Sequence, residues 1–572
     1  MKLDTALRAC PALLAFALNA SAFQTSTTRE SVATSGSQGN NLSFEAWISA
    51  DGRFVAFQSS ATNLVAGDTN ASPDVFVRDL QNGTTERVSV ATGGAQGNNS
   101  AVAPSISTDG RFVAFAGYSS NFVAGDTNGV ADIFVRDRTS GTTECISVST
   151  GGALGGGESN LPSISADGRF VAFESYATNL VAGDSNAQPD IFIRDRLNGT
   201  TERVSVSTGG TEANDYSTDA AVSADGRFVA FRSGATNLGG GAVNFRPDIF
   251  VRDRLLGTTT CVSVGSVGGF GSGGGFYPSM STDGRFIAYE SDAGDLVAND
   301  TNFTSDIFVY DRLLGATERV SVGAGSVQAN AGSGTASISA NGSFVAFISF
   351  ASNFDAADTN GTMDVYMRDR IAGTTERMSV STAGVQNSSA NQYPTISADG
   401  RRVVFESPAS TLVAGDTNNA WDVFLHDRGP LPPTNYCTAK INSQGCLPVM
   451  SFTGAPSATN PAPFTITATN VLNQKPGLLL YGYSQASTPF QGGVLCISSP
   501  LRRITTTGSH GSPVPTVDCS GSYSIDFNLR IQSGLDPLLA PGQEVDTQYW
   551  SRDPASPAPV GLTSALSFQI GA

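Results

Sequence analysis

One stretch, S-[IV]-S-x-D-G-R-F-V-A-F, recurs seven times in this chain. Its turn residue falls at Asp51, Asp109, Asp167, Asp225, Asp283, Asn341 and Asp399, always 58 positions after the last. A period of that length and regularity marks a repeat architecture, in which each copy is one supersecondary unit and buries its apolar face only by stacking on its neighbours.

The second copy shows what one unit contains. Ser105-Ile106-Ser107 is a short alternating run. Asp109-Gly110 follows and reads as a two-residue hairpin turn whose central positions need positive φ. Arg111 to Phe115 (R-F-V-A-F) is apolar on both faces, as in a strand covered on both sides. A longer loop, 117–131, leads to a third strand, Asp132 to Asp137 (D-I-F-V-R-D), and a short turn to a fourth, Thr142 to Val148 (T-T-E-C-I-S-V). The alternation of the fourth suits an outer strand with a wetter face. Four short antiparallel strands in about 58 residues is one propeller blade.

Counting the copies predicts how the ring closes. Fourth strands begin at Thr84, Thr142, Thr200, Thr258, Ala316 and Thr374, but the seventh unit ends at Val423-Phe424-Leu425-His426-Asp427 without one. The missing copy stands at the other end of the chain, as Thr27-Thr28-Arg29-Glu30-Ser31-Val32. Pairing it with the last blade closes a seven-bladed β-propeller and leaves no open sheet edge. An open solenoid would not account for the leading orphan strand.

Composition narrows the function classes. The 572 residues carry 33 basic and 50 acidic side chains, a net charge of −17, and only three lysines, Lys2, Lys440 and Lys475. Such a surface argues against nucleic acid and anionic membrane as partners. Residues 1–22 read as a secretory signal peptide: Lys2 and Arg8, a short apolar run from Pro11 to Leu18, then Ala20-Ser21-Ala22. No other run is long enough to span a bilayer. The domain plan is therefore a leader (1–22), the propeller (23–429), a proline-rich linker (430–436) and a tail (437–572). Runs such as Phe464 to Ala468, Leu478 to Tyr481, Tyr523 to Phe527 and Gln548 to Trp550 make the tail a small β-sandwich. Cys437, Cys446, Cys496 and Cys519 fall in it and read as two disulfides in an exported protein. Three connectivities are possible; Cys437–Cys446 with Cys496–Cys519 is the expectation. Cys145 and Cys261 replace the fourth-strand arginine of blades two and four, which are not adjacent, and are expected to be free thiols.

One motif carries recognisable chemistry. The loop before the third strand reads G-D-T-N-x-x-x-D or nearly so. It supplies Asp68, Asn70 and Asp74; Asp126, Asn128 and Asp132; Asp184, Asn186 and Asp190; Asp300, Asn302 and Asp306; Asp358, Asn360 and Asp364; Asp416, Asn418 and Asp422. Blade four has Ala242, Asn244 and Asp248 and so lacks the first carboxylate. Hard oxygens at alternate positions of a turn suit calcium. The same residues also cap turns by bonding their own backbone. Symmetry-breaking residues on this loop face, where a ligand is to be sought, are Phe44, Glu45, Glu158, Glu212, Asp215, Tyr216, Asp219, Phe270, Phe276, Tyr277 and Tyr393. No G-x-S-x-G, H-E-x-x-H or P-loop occurs, and the two histidines, His426 and His510, have no nucleophile motif beside them.

The S-x-D-G-R-F-V-A-F-x-S core with its D-[IV]-F-V-R-D strand resembles the TolB-like, WD-repeat-like bacterial propeller repeats, from about residue 27 to 428. The resemblance implies the propeller fold. The D-x-N-G-x-x-D loop looks like a shortened relative of the calcium loops of integrin-type propellers, and the tail resembles the tail domains of exported bacterial proteins. The resulting expectation is a secreted, periplasmic or cell-surface monomer, non-enzymatic, that binds a protein or glycan and takes calcium as its one cofactor. The alternative is a carbohydrate-active enzyme that uses loop-face carboxylates, which need no local motif.

Overall fold

The computed structural model describes residues 25–239, 245–266, 268–429, 434–505, 508–540 and 543–571. The leader, most of the linker, and Ala242 and Asn244 of blade four lie outside them. Two compact units divide the chain, Thr25–Arg428 and the part from Gly429 onward.

The first unit contains seven four-stranded antiparallel sheets, each ordered first, second, third, fourth strand. In blade two the strands are Ala101–Ile106, Phe112–Gly117, Asp132–Asp137 and Thr142–Cys145. The seventh blade joins Gln392–Ile396, Arg402–Ser407 and Asp422–Asp427 to Ser26–Arg29 from the N-terminal end, in the register Ser26 to Asp427 and Arg29 to Phe424. The expected ring closure is thus observed.

Second and third strands form the double-covered middle of every blade. Val55, Ala56 and Phe57 are fully buried, and Phe57 stacks on Phe76 of the third strand at 5.9 Å. The same stack recurs at Phe173–Phe192 and Phe405–Phe424. Fourth strands are shorter than the T-T-E-R-V-S-V run suggests. After Arg87 the chain turns, because the Ser89 hydroxyl leaves the ladder to donate to Asp74 Oδ1 at 2.5 Å and to accept from the Val75 amide.

The D-G turn also differs from expectation. The Ser49 carbonyl accepts from the Gly52 amide, so Ala50 and Asp51 are the central residues and only Gly52 takes a positive φ (72°). The Asp51 carboxylate accepts from the Arg53 amide and the Ser49 hydroxyl. This turn followed by a left-handed glycine is a recognised hairpin connection.

Within every blade but the sixth, where Ser343 replaces it, the D-G-R arginine pairs with the third-strand Asp (Arg53–Asp79, 2.7 Å), and this holds the Asp79 carboxyl down at about 2. Neighbouring blades are joined in two ways. The Arg138 guanidinium reaches back to lie 4.6 Å from the centroid of Phe54, whose other neighbour is Arg53 at 4.7 Å. At the turn end of the innermost strands, backbone amides donate from blade to blade around the whole ring. Thr108 donates to Ala166, Ala166 to Ala224, Ala224 to Thr282, Thr282 to Ala340, Ala340 to Ala398 and Ala398 to Ala50, and Asp51 donates to Thr108, at 3.0–3.2 Å.

The second unit packs two sheets around a shared core. Thr434–Tyr436, Val560–Gln569, Glu544–Arg552, Gly477–Gly482 and Arg502–Thr505 form the larger sheet; Val449–Thr453, Thr465–Val471 and Gly521–Asp526 form the smaller. Ile466, Tyr523, Tyr549, Leu566 and Phe568 meet between them. Phe527, expected to end a strand, begins the short helix Phe527–Gln532, with Asp526 as its N-cap. The disulfides are Cys437–Cys496 and Cys446–Cys519, which corrects the expected pairing. Tyr436 donates its hydroxyl to the Cys496 carbonyl at 2.8 Å, so Cys437 emerges beside Cys496. Cys446 folds back on Asn442 in a tight turn, away from Cys437. Cys145 and Cys261 are free, as expected.

Candidate functional site

A channel of about 450 Å³ runs along the axis of the propeller, lined by the first strand of every blade. Each of these strands carries a bulge near its loop end, where the pairing slips between Phe44 and Trp47, Val102 and Ser105, and so on through Gln392 and Thr395. A bulge re-aims one side chain. Here it puts Glu45, Ala103, Leu161, Asp219, Tyr277, Thr335 and Tyr393 at equivalent positions lining the channel, all with φ between 44° and 55°. Left-handed backbone costs an L-residue about 1–2 kcal/mol. Strain of this kind clusters at binding and catalytic sites. The scaffold repeats seven times while the residue it presents does not.

A second ring stands behind the first. The position following F-V-A-F is Gln58, Ala116, Glu174, Arg232, Glu290, Ile348 and Glu406. Each glutamate accepts from the bulge amides of the next blade: Glu406 from Ala46 (3.2 Å), Glu290 from Thr335 (3.1 Å) and Glu174 from Asp219. Glu45 accepts from the Ala103 amide at 2.8 Å. No carboxylate follows this pattern at Leu161, Tyr277 and Tyr393, whose preceding blades present Ala116, Arg232 and Ile348. The Glu174 and Glu406 Oε2 atoms have no hydrogen-bond partner among the described residues.

Burial raises the carboxyls of both rings. Glu406 is pushed up to about 8 by burial, with Glu45 adding like-charge repulsion. Glu174 is pushed up to about 7 by burial and then by Asp219. Glu290, Glu45 and Asp219 move up for the same first reason, with Arg232 partly offsetting the rise at Asp219. Folded Glu406 therefore holds a proton that the unfolded chain releases above about pH 4.5. Its contribution is fully present below that value and is lost as pH rises through about 8, at no more than about 1.4 kcal/mol per pH unit. Glu406→Gln keeps the acceptor for Ala46 and removes the titration. In urea unfolding between pH 5 and 8.5 the variant should lose less stability than the wild type; parallel curves would show that Glu406 is not the group responsible.

The loop-face residues singled out in the sequence separate into two groups. Glu45, Asp219, Tyr277 and Tyr393 reach the channel. Tyr216 and Phe276 hold Arg232 by its guanidinium, at 5.7 and 4.6 Å from their ring centroids. Phe44 packs on Trp421, Phe270 on Phe250, Glu158 accepts from Tyr118, and Asp215 accepts from the Tyr216 amide. The second ring went unread because its members sit inside a strand whose other positions are plain core. Variability at one position of an otherwise fixed strand was its sequence signal.

The D-x-N loops lie on the same face. Asn70 donates to Asp74 and to the Gly97 carbonyl and accepts from the Ser72 amide, which is turn chemistry. Asn128, Asn186, Asn302, Asn360 and Asn418 do the same for Asp132, Asp190, Asp306, Asp364 and Asp422. The terminal Asp of every blade accepts from the serine two residues past the fourth strand, with Ser31 serving Asp422. A guanidinium already pairs the first and last carboxylates in five loops. Arg87 serves Asp68 and Asp74, Arg203 serves Asp184 and Asp190, Arg319 serves Asp300 and Asp306, Arg377 serves Asp358 and Asp364, and Arg29 serves Asp416 and Asp422. In blade two, Cys145 stands in the arginine's place beside Asp126 and Asp132. Asp184, Asp190 and Glu212 bring one oxygen each within 4.8 Å of one another, a spacing one metal ion could bridge, and Arg203 Nη1 lies 2.5 Å from Glu212 there.

Seven four-stranded blades around an axial channel define a seven-bladed β-propeller. No protein-family model matches the chain, and no curated protein matches it. Among solved structures it is similar to TolB from Acinetobacter baumannii, at 14% identity over 67% of this chain and 79% of that one, with a TM-score of 0.32. It is also similar to the RRP9 WD40 repeats, at 9% identity over 70% and 97% and a TM-score of 0.38. Scores this low add nothing to the class, which the seven sheets define.

Proposed function

We propose that the protein is an exported, non-enzymatic binding module that recognises a protein or glycan partner at the loop end of its channel. The observation that carries this reading is the ring of seven left-handed positions. A single strained backbone device is built seven times and holds seven side chains of six residue types over one cavity. Export is supported by the leader at 1–22 and by two disulfides, which persist in oxidising compartments. Calcium enters as a stiffener of the D-x-N loops. It would compete with a resident arginine in five of them and meet least competition in blade two.

The test is affinity capture with mature wild-type protein and with Leu161→Arg, which alters the channel ring, beside Glu86→Gln, an outer-strand change. A partner held by wild type and Glu86→Gln but released by Leu161→Arg supports the reading. Equal capture by all three overturns it. Glycoside hydrolysis is the second reading. Two carboxylate couples straddle the channel wall, Glu45 in front of Glu406 and Asp219 in front of Glu174, and a carboxyl near 7 suits a general acid. Release of reducing sugar by wild type and not by Glu174→Gln would favour it.

A further inference from the structure

The geometry points to a cationic side chain, an arginine or lysine on a basic segment of a partner protein, as the group that enters the channel. This deepens the proposed function and rests on it. Four independent features of the site agree.

The first is charge. The channel wall carries Glu45 and Asp219 and, among the described residues, no lysine or arginine; behind it, on the bulge amides, stand Glu174, Glu290 and Glu406 with one arginine, Arg232. Arg232 is already committed: it lies 3.7 Å from Asp219 and between Tyr216 and Phe276. The second is unmet bonding capacity. Just behind the wall, Glu406 is fully buried and Glu174 half-buried, and each has one oxygen without a donor among the described residues. A buried acceptor left unmade costs on the order of 1–3 kcal/mol, which a guanidinium or ammonium donor reaching past Glu45 or Asp219 would recover. The third is the aromatic wall. Tyr277, Tyr393 and Trp47 line the same cavity, and aromatic faces within about 6 Å attract cations. Tyr393 is close enough to Glu45 and Glu406 to feel both. The fourth is long range. A net charge of −17 steers a basic segment toward the protein.

The cavity, about 450 Å³, matches a single long side chain better than a folded element. Apolar residues such as Ile106, Ile164 and Met280 continue below the carboxylates, where the methylene stem of lysine or arginine would lie.

The experiment uses the mature full chain and Nα-acetyl-arginine amide as probe, followed by calorimetry and by tryptophan fluorescence, since Trp47 lines the channel. The comparison protein is Glu45→Gln/Asp219→Asn, which keeps the hydrogen-bond acceptors and removes two charges. Wild type should bind the probe saturably, at least tenfold more tightly than the double variant, and should bind Nα-acetyl-citrulline amide at least tenfold more weakly than the arginine probe. Equal binding of the arginine and citrulline probes overturns the proposal, as does equal binding by the two proteins. A saturable response to maltotriose or calcium chloride, lost in the double variant and without any response to the arginine probe, also overturns it while leaving the channel as the binding site. Channel failure itself would show as partner capture indifferent to Leu161→Arg, so the two readings fail separately.

Discussion

Removing residues 25–32 should open the propeller. Blade seven would keep three strands, and Asp422–Asp427 would become an unpaired edge. The ladder from Ser26–Asp427 to Arg29–Phe424 would be lost, together with the hydrogen bond that the Glu30 amide donates to the Val423 carbonyl. The Ser31 hydroxyl on Asp422 and the Arg29 guanidinium on Asp416 and Asp422 would go with it. Asp422 is fully buried, so two of its partners would leave while its charge stays inside. Breaking a buried pair from one side alone costs about 3–5 kcal/mol, and the exposed edge adds a liability to aggregate. Thr27 also ties the strand to its surroundings, through His426 Nδ1 at 2.9 Å and the Val380 carbonyl of the neighbouring blade at 2.5 Å. The expected result is loss of the main cooperative unfolding transition, or a drop exceeding about 3–5 kcal/mol in urea. Supplying a synthetic peptide of residues 25–33 should restore it in part by strand addition. A truncated protein that unfolds like the full chain would mean that the ring is held closed by other contacts.

The second large effect concerns the repeat glycine. Gly168 has a φ of +72°, and an added Cβ would lie 2.2 Å from Cδ2 of Phe112 in the preceding blade. The same clash recurs at Gly226 with Phe170 and Gly284 with Phe228. Gly168→Ala therefore combines overpacking, about 1–3 kcal/mol, with left-handed strain, about 1–2 kcal/mol. A loss of about 2–5 kcal/mol is expected. Gly183→Ala separates the two causes. Its φ is +78°, with nothing within 4 Å of the added carbon, so only the strain should appear. Denaturation of both variants would decide the matter. Equal losses would mean that the phenyl ring moves aside and packing contributes nothing. Gly52→Ala should fall near Gly183→Ala, because the blade-seven position holds Arg402 and the nearest atom is 3.4 Å away.

That difference at Gly52 shows what a repeat conveys and where it stops. The glycine could be read as turn chemistry from Asp-Gly alone, but its second duty, making room for a phenyl ring one blade away, is a contact between units. So is the return of Arg402 Nη1 to the Gly52 carbonyl at 2.6 Å, which joins blade seven to blade one. The disulfides teach the same lesson. Four cysteines in a small β domain announce two bonds, but Cys446 is nine positions from Cys437 and bonds to Cys519, because strand order and not chain proximity decides which sulfurs meet.

The blade, the number of blades and the strand that closes them were legible in the repeat alone. Each rests on local information: turn residues, alternating or double-faced apolar runs, and a count of copies. The sequence also named Glu45, Asp219, Tyr277 and Tyr393 as departures from symmetry. Only the tertiary structure placed those four on one ring, because a bulge with positive φ at Ala103, Leu161 or Thr335 carries no glycine to announce it. Only the tertiary structure set Glu174, Glu290 and Glu406 behind them, since each bonds to the backbone of the next blade. Burial and unmet hydrogen bonds are properties of neighbours in space, and a periodic chain brings those neighbours together only when the ring is closed.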